Sequence, residues 1–257
     1  MTVPFSLLPQ FAVIVAGGSG NRMGTAVPKQ FLPVGGVPIV IRTITRFFEY
    51  SSDIQLILVL PEKDLPAWET ISRQHPLPHP IQVVTGGATR FQSVRNGLQI
   101  ITDEEGLAAI HDGVRPFVPV QTIRESFEVA YQQGCAIAAV ALKDSIRQVA
   151  PPAPKVAPIP NPSPERGRVL APLSGTGGAS QSVDRTQFRL VQTPQTFRLS
   201  VIRKGFAQPE QPDFTDDASV AERAGYPITL IEGTYQNIKI TTPEDLLWAE
   251  AYVKLMG

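Results

Sequence analysis

The sequence predicts an α/β fold with a mainly parallel central sheet and helices on both faces. Three observations support this prediction. Strand-like and helix-like segments alternate along the chain, the strand-like segments are continuous apolar runs, and the segments between them carry apolar residues at helical spacing. Continuous apolar runs are typical of strands buried on both faces. In such sheets ligands bind outside the carboxyl ends of the strands, so the functional residues are expected there.

The individual elements follow in chain order. We expect buried strands at FAVIVA (11–16), QLILVLP (55–61), IQVVT (81–85), LAAIHD (107–112) and AIAAVAL (136–142). Steps of three and four between apolar residues indicate two helices, through Phe91, Val94, Leu98 and Ile101 and through Val120, Ile123, Phe127 and Ala130. Near the end, we expect a strand at ITLIEG (228–233) and a short strand or extended run at NIKIT (237–241).

The sequence also predicts where two helices begin. Thr242-Pro243-Glu244-Asp245 predicts the start of the last helix, with a capping box and a proline at the first helical position. In FTDDASVAE, the residues Thr215, Asp216 and Asp217 most simply cap another helix and place negative charge at its start. We therefore expect a structural role for these acidic residues.

The regular alternation stops at residues 150–181, where eight of the 25 prolines fall between Pro151 and Pro172. Proline removes backbone donors and the segment has few large apolar side chains, so a mobile surface insertion is expected. A proline-rich ligand for another domain is the alternative. The flanking segments 143–149 and 182–192 predict two strands of a protruding hairpin arm, about 143–192, within a single domain that spans 1–257.

Composition excludes several classes of protein. The 257 residues have a formal net charge of zero, which gives no indication of a nucleic-acid or membrane partner. The single cysteine, Cys135, lies in an apolar run, so we expect a buried core thiol, no disulfide within the chain and a cytoplasmic location. The N-terminus lacks the basic region of a signal peptide, and three histidines with one cysteine argue against zinc.

The loop AGGSGNRMGTAVPKQF (16–31) follows the first strand and resembles no common phosphate motif. It lacks the Walker A spacing, and the dinucleotide fingerprint GxGxxG fails at its third glycine position, which is Met23. Its glycines nevertheless allow backbone amides to approach an anion, and Arg22 and Lys29 add two cations. The sequence favours a phosphate site here, and an ordinary strand-to-helix turn is the alternative.

A second glycine turn, GGATRFQSVRNG (86–97), follows the third strand. The Ser93 hydroxyl and free amides there could bind the edge of a base or a ribose. A plain β–α turn in which Thr89 caps the next helix is an equally good interpretation.

Charged residues end another strand in HDGVRPF (111–117). Asp112 lies at the ligand-binding edge, where a magnesium ligand or a hydroxyl acceptor are the sensible roles. Arg115, three residues later, can reach the same ligand-binding edge as Asp112. His111 is expected to be a core residue held by a backbone hydrogen bond. Lys239, Ser145 and Arg185 could each be a solvated surface residue when considered alone.

Taken together, these stretches resemble the 2-C-methyl-D-erythritol 4-phosphate cytidylyltransferase family. The matching segments are AGGSGNRMG, PKQF, GGATRFQSV, HDGVRPF, KDSIRQV, SVDR, VQTPQTF, TDDAS and NIKITTPEDL, from Ala16 to Leu246. The resemblance implies a Rossmann-like nucleotidyltransferase fold and a homodimer whose arm reaches toward the partner's active site. It also implies the transfer of CMP from CTP to methylerythritol 4-phosphate with Mg²⁺.

Residue roles carry over from the family by position. The catalytic positions are Arg22 and Lys29, which hold the triphosphate and stabilise the transition state, together with Arg185 and Lys239, which orient the methylerythritol phosphate. The positions that line the nucleotide are Ala16, Gly17, Gly18, Gly20, Gly87, Ser93 and Gly113. The positions that bind the acceptor are Asp112, Arg115, Ser145, Arg185 and Lys239, with Asp112 also the metal candidate.

The chain departs from the family at several of these places. Ser145 stands where threonine is usual, which keeps the hydroxyl. Ala88 replaces a frequent acidic residue, and Gln236 replaces a common aspartate. The long insertion lies between Ser145 and Arg185 and lengthens the arm loop through which the family forms its dimer contact.

Three other functions remain open at this point. A ribitol 5-phosphate cytidylyltransferase would share the nucleotide half and differ in residues that face the acceptor. A non-catalytic dinucleotide-binding module is opposed by the displaced third glycine and by Glu62, which follows a proline where the acidic ribose residue is expected. A proline-rich interaction protein would require segment 150–181 to carry the function.

Overall fold

The computed structural model describes residues 4–17, 27–149 and 180–256. The chain divides into two compact units, one formed by residues 1–140 and 191–257 and the other by residues 141–190. The loop glycines Gly18 and Gly20, the cation Arg22 and most of the insertion 150–181 lie outside the described residues.

A seven-stranded sheet forms the centre of the larger unit. Its strands are β1 (Gln10–Val15), β4 (Gln55–Leu60), β5 (Gln82–Thr85), β6 (Leu107–Asp112), β7 (Cys135–Ala141), β10 (Arg189–Arg198) and β11 (Leu230–Glu232), and a small hairpin of β2 (Pro33–Val34) and β3 (Val37–Pro38) lies apart from it. The six segments predicted as strands outside the arm all form strands, within one or two residues at their ends. NIKIT is extended and forms no strand.

The sheet order is β11-β7-β10-β6-β1-β4-β5. β1 runs parallel to both of its neighbours, with Val13 opposite Ile57 of β4 and Ile110 of β6. The pairs β4–β5 and β7–β11 are also parallel, whereas β10 is antiparallel to β6. The prediction of a mainly parallel sheet is therefore confirmed. From β1 the chain builds first toward β5 and then returns to the other side, which makes the β1–β6 edge the place where ligands bind in such sheets.

Helices cover both faces of this sheet, as predicted. They are α1 (Ile39–Tyr50), α2 (Leu65–Gln74), α3 (Arg90–Gln99), α4 (Val120–Gln133), α5 (Leu199–Phe206), α6 (Asp217–Arg223) and α7 (Pro243–Met256). In β1, Ala12 and Ile14 pack with α1, α2 and α4, while Val13 and Val15 pack with α3, α5 and α6. This alternation is the two-residue period of a strand buried on both faces.

Local sequence explains where several helices begin. Thr89 accepts a hydrogen bond from the Gln92 amide and caps α3, as the sequence suggested. Asp216 and Ser219 form a capping box at the start of α6. At α7 the Thr242 amide donates to Asp245 Oδ2 (2.9 Å) and the Asp245 amide donates to Thr242 Oγ1 (3.3 Å), which confirms the predicted box. These caps satisfy amides that have no partner within their helices.

Cys135 begins β7 and is buried, as expected. Burial raises the pKa of its thiol, and the thiol lies 3.2 Å from the carbonyl oxygen of Pro227. Among the described helices, none is long and apolar enough to cross a membrane.

The smaller unit contains the predicted arm, with one correction. β8 (Arg147–Val149) and β9 (Ser180–Ser182) pair in antiparallel fashion, with Gln148 opposite Gln181. The second predicted strand, 182–192, is wrong as a single element, because a 3₁₀ turn at Arg185–Gln187 interrupts it. Asp184 accepts a hydrogen bond from the Thr186 amide, and this local bond favours a turn over a strand. Ser180 and Gln181, assigned to the insertion, belong to β9.

Candidate active site

A cavity of about 510 Å³ opens at the carboxyl ends of β1, β4 and β6. Its lining comes from the ends of these strands, from the turn before α3 and from the extended run before α7. Lining residues with polar side chains are Lys29, Gln30, Lys63, Thr89, Arg90, Ser93, Asp112, Lys239 and Thr241. The cavity therefore brings together residues that lie more than 200 positions apart in the sequence, at the edge predicted from the strand order.

The first glycine loop contributes the described residues Ala16, Gly17 and Lys29 to this lining. The Ala16 amide already donates to the Val59 carbonyl (2.9 Å), so the backbone of Ala16 is fixed by the sheet. Lys29 begins a 3₁₀ helix whose next residue, Gln30, donates to Asp64 (2.9 Å). The loop thus ends in a side-chain anchor that places Lys29 at the cavity.

The second glycine turn is held together by its own hydrogen bonds. Ser93 Oγ donates to the Thr89 carbonyl (2.8 Å) and accepts from the Gly87 amide (3.1 Å). The Ala88 amide donates to Gln92 Oε1 (3.1 Å). A Cβ at Gly87 would lie 2.3 Å from the Cβ of Gln92, so glycine is required by this close packing. Ser93 lines the cavity, and its hydroxyl shapes the turn.

The third group centres on Asp112, which ends β6. Its Oδ2 lies 3.1 Å from Lys239 Nζ and accepts a hydrogen bond from Arg115 Nε (3.1 Å). Arg90 Nε lies 3.9 Å from the other oxygen, Oδ1. Burial alone would raise the pKa of the Asp112 carboxyl. Its pKa is instead held well below its usual range by three cations, Lys239, Arg90 and Arg115. Asp112 is therefore a carboxylate surrounded by cations.

The cations of this group differ in exposure. The Lys239 side chain is 41% exposed and lines the cavity, whereas Arg115 is 11% exposed. Arg115 Nη1 donates to the Asn237 carbonyl (2.7 Å), and this ties the turn after β6 to the extended run that carries Lys239. The ammonium of Lys239 can thus contact a ligand in the cavity, whereas Arg115 holds the backbone near Lys239 in place through the Asn237 carbonyl.

His111 and Gly113 have structural positions around Asp112. His111 is fully buried, its Nε2 lies 3.1 Å from the Arg115 carbonyl, and burial lowers its pKa to about 4. The core role predicted for His111 is confirmed. Gly113 donates its amide to the Val15 carbonyl (2.9 Å), and a Cβ there would come within 2.8 Å of the Ala16 Cβ. Gly113 therefore lets the β1 and β6 loops approach each other.

Arg90 is not among the residues predicted for the site, and the structural role predicted for Asp217 includes a partner that the sequence does not show. Arg90 Nη1 and Nη2 donate to Asp217 Oδ1 and Oδ2 at 2.7 and 2.6 Å, and Arg90 lines the cavity. Asp216 caps α6 as expected, but Asp217 is buried and pairs with Arg90 instead of only charging the helix start. A buried aspartate beside a capping aspartate has no local signature, because its partner lies 127 residues away.

Two further candidate residues, Ser145 and Arg185, lie in the smaller unit. Both side chains are exposed. Arg185 Nη1 donates to the Lys143 carbonyl, which fixes the turn at Arg185–Gln187 against the start of the arm.

A cavity at the carboxyl edge of a mainly parallel sheet, with glycine turns, lysines and one carboxylate in its described lining, defines the class of α/β proteins that bind their ligands at this edge. The family model for 2-C-methyl-D-erythritol 4-phosphate cytidylyltransferase (IspD) matches residues 10–157 and 174–255. The chain belongs to this family.

Individual relatives agree with this assignment. The 2-C-methyl-D-erythritol 4-phosphate cytidylyltransferase of Bacteroides thetaiotaomicron is 40% identical over 93% of this chain and 97% of its own length. The crystal structure of the corresponding enzyme from Thermus thermophilus is 27% identical with a TM-score of 0.67, covering 96% of this chain and 100% of its own. That of 4-diphosphocytidyl-2C-methyl-D-erythritol synthase from Anaerococcus prevotii is 25% identical with a TM-score of 0.74, covering 96% of each chain.

Proposed function

We propose that this protein transfers CMP from CTP to 2-C-methyl-D-erythritol 4-phosphate, forming 4-diphosphocytidyl-2-C-methyl-D-erythritol and pyrophosphate. Membership of the family supports this activity. The observation that carries it in this chain is the cavity, where the glycine turns, Lys29 and the Asp112–Lys239 pair line one space. We assign the turns to the nucleotide and the Asp112–Lys239 side to the acceptor.

The reaction needs no covalent intermediate on the protein. An oxygen of the acceptor phosphate attacks the α-phosphorus of CTP, the bond from that phosphorus to the bridging oxygen breaks, and pyrophosphate leaves with the bond electrons. Catalysis is then positioning and neutralisation of negative charge. Lys29 and Lys239 are the described lysines assigned to this task, and Arg22 is assigned with them from its position in the sequence.

A divalent cation, Mg²⁺, fits this chain as an ion shared with the substrate. Among the described lining residues, Asp112 is the single carboxylate, and the described part of the chain has no cluster of three metal-binding side chains. Mg²⁺ is commonly bound by one or two carboxylates together with substrate phosphates. Asp112 would contribute one ligand through Oδ1, because its Oδ2 is already shared by Lys239 and Arg115, and the ion would supply charge neutralisation on the phosphates.

We assign Ser145 and Arg185 to the acceptor phosphate of a partner copy, which makes a homodimer through the arm, about residues 143–192, part of the proposal. Hydroxyl and guanidinium groups suit a phosphate because both donate hydrogen bonds. We propose the cytoplasm as the location, and no nucleic acid or membrane as a partner.

An assay with two acceptors tests the function. Pyrophosphate release is followed with CTP, Mg²⁺ and either methylerythritol 4-phosphate or ribitol 5-phosphate. We expect release with methylerythritol 4-phosphate, and kcat/KM for ribitol 5-phosphate at least about a hundredfold lower, because a site built for one polar acceptor leaves groups unpaired with another. A preference for ribitol 5-phosphate would support the related cytidylyltransferase, and no release with either acceptor would contradict both functions.

A mixing experiment tests the arm. Lys239→Ala removes a cavity residue and leaves the arm intact, whereas Arg185→Ala does the reverse. If the arm serves the partner's site, mixed dimers of the two inactive variants regain one complete site and activity returns. If each arm serves its own site, mixing restores nothing.

A further inference from the structure

Arg90 stands between two carboxylates at the wall of the cavity. Its two terminal nitrogens donate to both oxygens of Asp217, at 2.7 and 2.6 Å, and its Nε lies 3.9 Å from Asp112 Oδ1. Asp217 is completely buried, and the Arg90 side chain is 32% exposed. The guanidinium of Arg90 therefore forms its two short hydrogen bonds with Asp217, whereas its distance to Asp112 is longer than a hydrogen bond.

The position of Asp217 is fixed independently of Arg90. The capping box of Asp216 and Ser219 sets the first turn of α6. Gln195 of β10 then holds this turn on the sheet, because its Oε1 accepts from the Ala218 amide (2.8 Å) and its Nε2 donates to Asp216 Oδ2 (2.9 Å). Asp217 is thus a rigid anchor for Arg90.

The charges around Asp112 show why this anchor matters. Asp112 Oδ2 is shared by Arg115 and Lys239, of which Lys239 is the more exposed and has the flexible stem. A guanidinium binds a carboxylate in a fork and competes well against an ammonium. Without Asp217, the nearest carboxylate described for Arg90 is Asp112, and Arg90 would take the place of Lys239 there.

We infer that Asp217 is a positioning residue for Lys239: by holding Arg90 in a fork, it leaves Asp112 to Lys239 and keeps the ammonium in the cavity. Lys239 belongs to the catalytic group, and Asp217 acts on it through Arg90 and Asp112. This inference rests on the proposed function, in which Lys239 contacts the acceptor phosphate.

The test compares Asp217→Asn with the double variant Arg90→Gln/Asp217→Asn. In the single variant, the freed Arg90 displaces Lys239, so kcat should fall and KM for methylerythritol 4-phosphate should rise about tenfold or more, while KM for CTP changes less than about threefold. In the double variant the competitor is gone, so KM for the acceptor should return to within about threefold of wild type. A purely structural role would lower the active fraction and leave both KM values unchanged.

One control variant lies on the same helix. Glu222→Gln makes the same chemical change, from a carboxylate to an amide, at an exposed position of α6. It should keep the wild-type KM values. Because KM does not depend on enzyme concentration, Asp217→Asn can be measured at a temperature where only part of it is folded.

Each outcome decides the inference. A rise in acceptor KM of less than about tenfold in Asp217→Asn overturns it, as does a double variant whose acceptor KM stays more than about threefold above wild type. If wild type itself releases no pyrophosphate, the proposed function fails instead, so the two failures are distinguishable.

Discussion

The second glycine turn and the Asp112 group line the same cavity but use their polar groups in opposite ways. In the turn, the Gly87 and Ala88 amides and the Ser93 hydroxyl are bonded within the turn itself. Around Asp112, three cations share one carboxylate, and one of them, Lys239, is 41% exposed. The difference indicates that the turn contributes shape, whereas the Asp112 group contributes charge. Substitutions in the two regions should therefore fail in different ways.

The largest effect is expected for Lys239→Gln. Loss of the ammonium should lower kcat about 100- to 1,000-fold, as for the removal of a single group that stabilises developing charge. The fold should persist because Asp112 keeps its bond from Arg115. Turnover is measured beside thermal unfolding, with the exposed Lys254→Gln on α7 as the control. A turnover within a fewfold of wild type would contradict the prediction that the Asp112 group contributes charge to catalysis.

The turn is tested by Gly87→Ala. The added Cβ would lie 2.3 Å from the Gln92 Cβ, so the turn must shift, and we expect a loss of about 1–3 kcal/mol in the free energy of unfolding together with a higher KM for CTP. Urea unfolding and steady-state kinetics measure the two effects. Gly17→Ala is the stability control, since the nearest atom to its Cβ is 3.8 Å away. Unchanged stability in Gly87→Ala would show that shape is not what the turn contributes.

The third prediction concerns His111, which supports the turn of the Asp112 group. Burial lowers its folded pKa to about 4, whereas an unfolded histidine has a pKa of about 6.5. Between these values the unfolded chain binds a proton that the folded chain does not, so stability is highest above about pH 6.5 and falls as the pH is lowered toward 4. We expect this group to account for a loss of about 2 kcal/mol at about pH 5.

Urea unfolding at about pH 7.5 and about pH 5 measures this loss. His111→Gln should lose less stability than wild type over the same interval, by about that amount. The same change at the exposed His79 should leave the wild-type difference intact. Equal losses in wild type and His111→Gln would contradict the prediction.

The smallest effect is expected for Asp245→Ala. Asp245 Oδ2 accepts hydrogen bonds from the Thr241 amide (2.8 Å), the Thr241 hydroxyl (2.9 Å) and the Thr242 amide (2.9 Å). Its loss should cost about 1 kcal/mol of stability and change kcat less than about threefold, because the charge on Lys239 remains. Thermal unfolding and kinetics check this, with the exposed Glu244→Ala as the control. A large loss of activity would mean that the cap positions Lys239.

The sequence predicted the strands well because each carries its own signal. The runs that became β1, β4 and β6 are apolar throughout, which is the direct consequence of burial on both faces. It also predicted that Asp112 and Lys29 lie at the carboxyl edge of the sheet, where both line the cavity, because the loops that follow parallel strands converge at that edge. Thr89, Asp216 and Thr242 were recognised as caps, since their hydrogen bonds reach only three residues ahead.

The arm shows where local signals fail. SVDRTQFRLVQ alternates enough to suggest one strand, but Asp184 bonds to Thr186 and makes a turn within it. The later part of that segment belongs to β10, whose pairing with β6 depends on residues about 85 positions away, such as Gln195 opposite Ile110. Strand boundaries of this kind depend on a partner that a sequence window does not contain.

The α/β class, the family and the edge of the sheet where the cavity opens could all be predicted from the sequence, because periodicity, glycine turns and ordered motifs are local properties of the chain. The pairing of the charged side chains could not be predicted from the sequence, and only the folded structure shows it. Asp217 looks like a second cap in the sequence and is a buried partner of Arg90 in the fold. Ion pairing depends on distance and burial between residues far apart in the chain, and folding sets both.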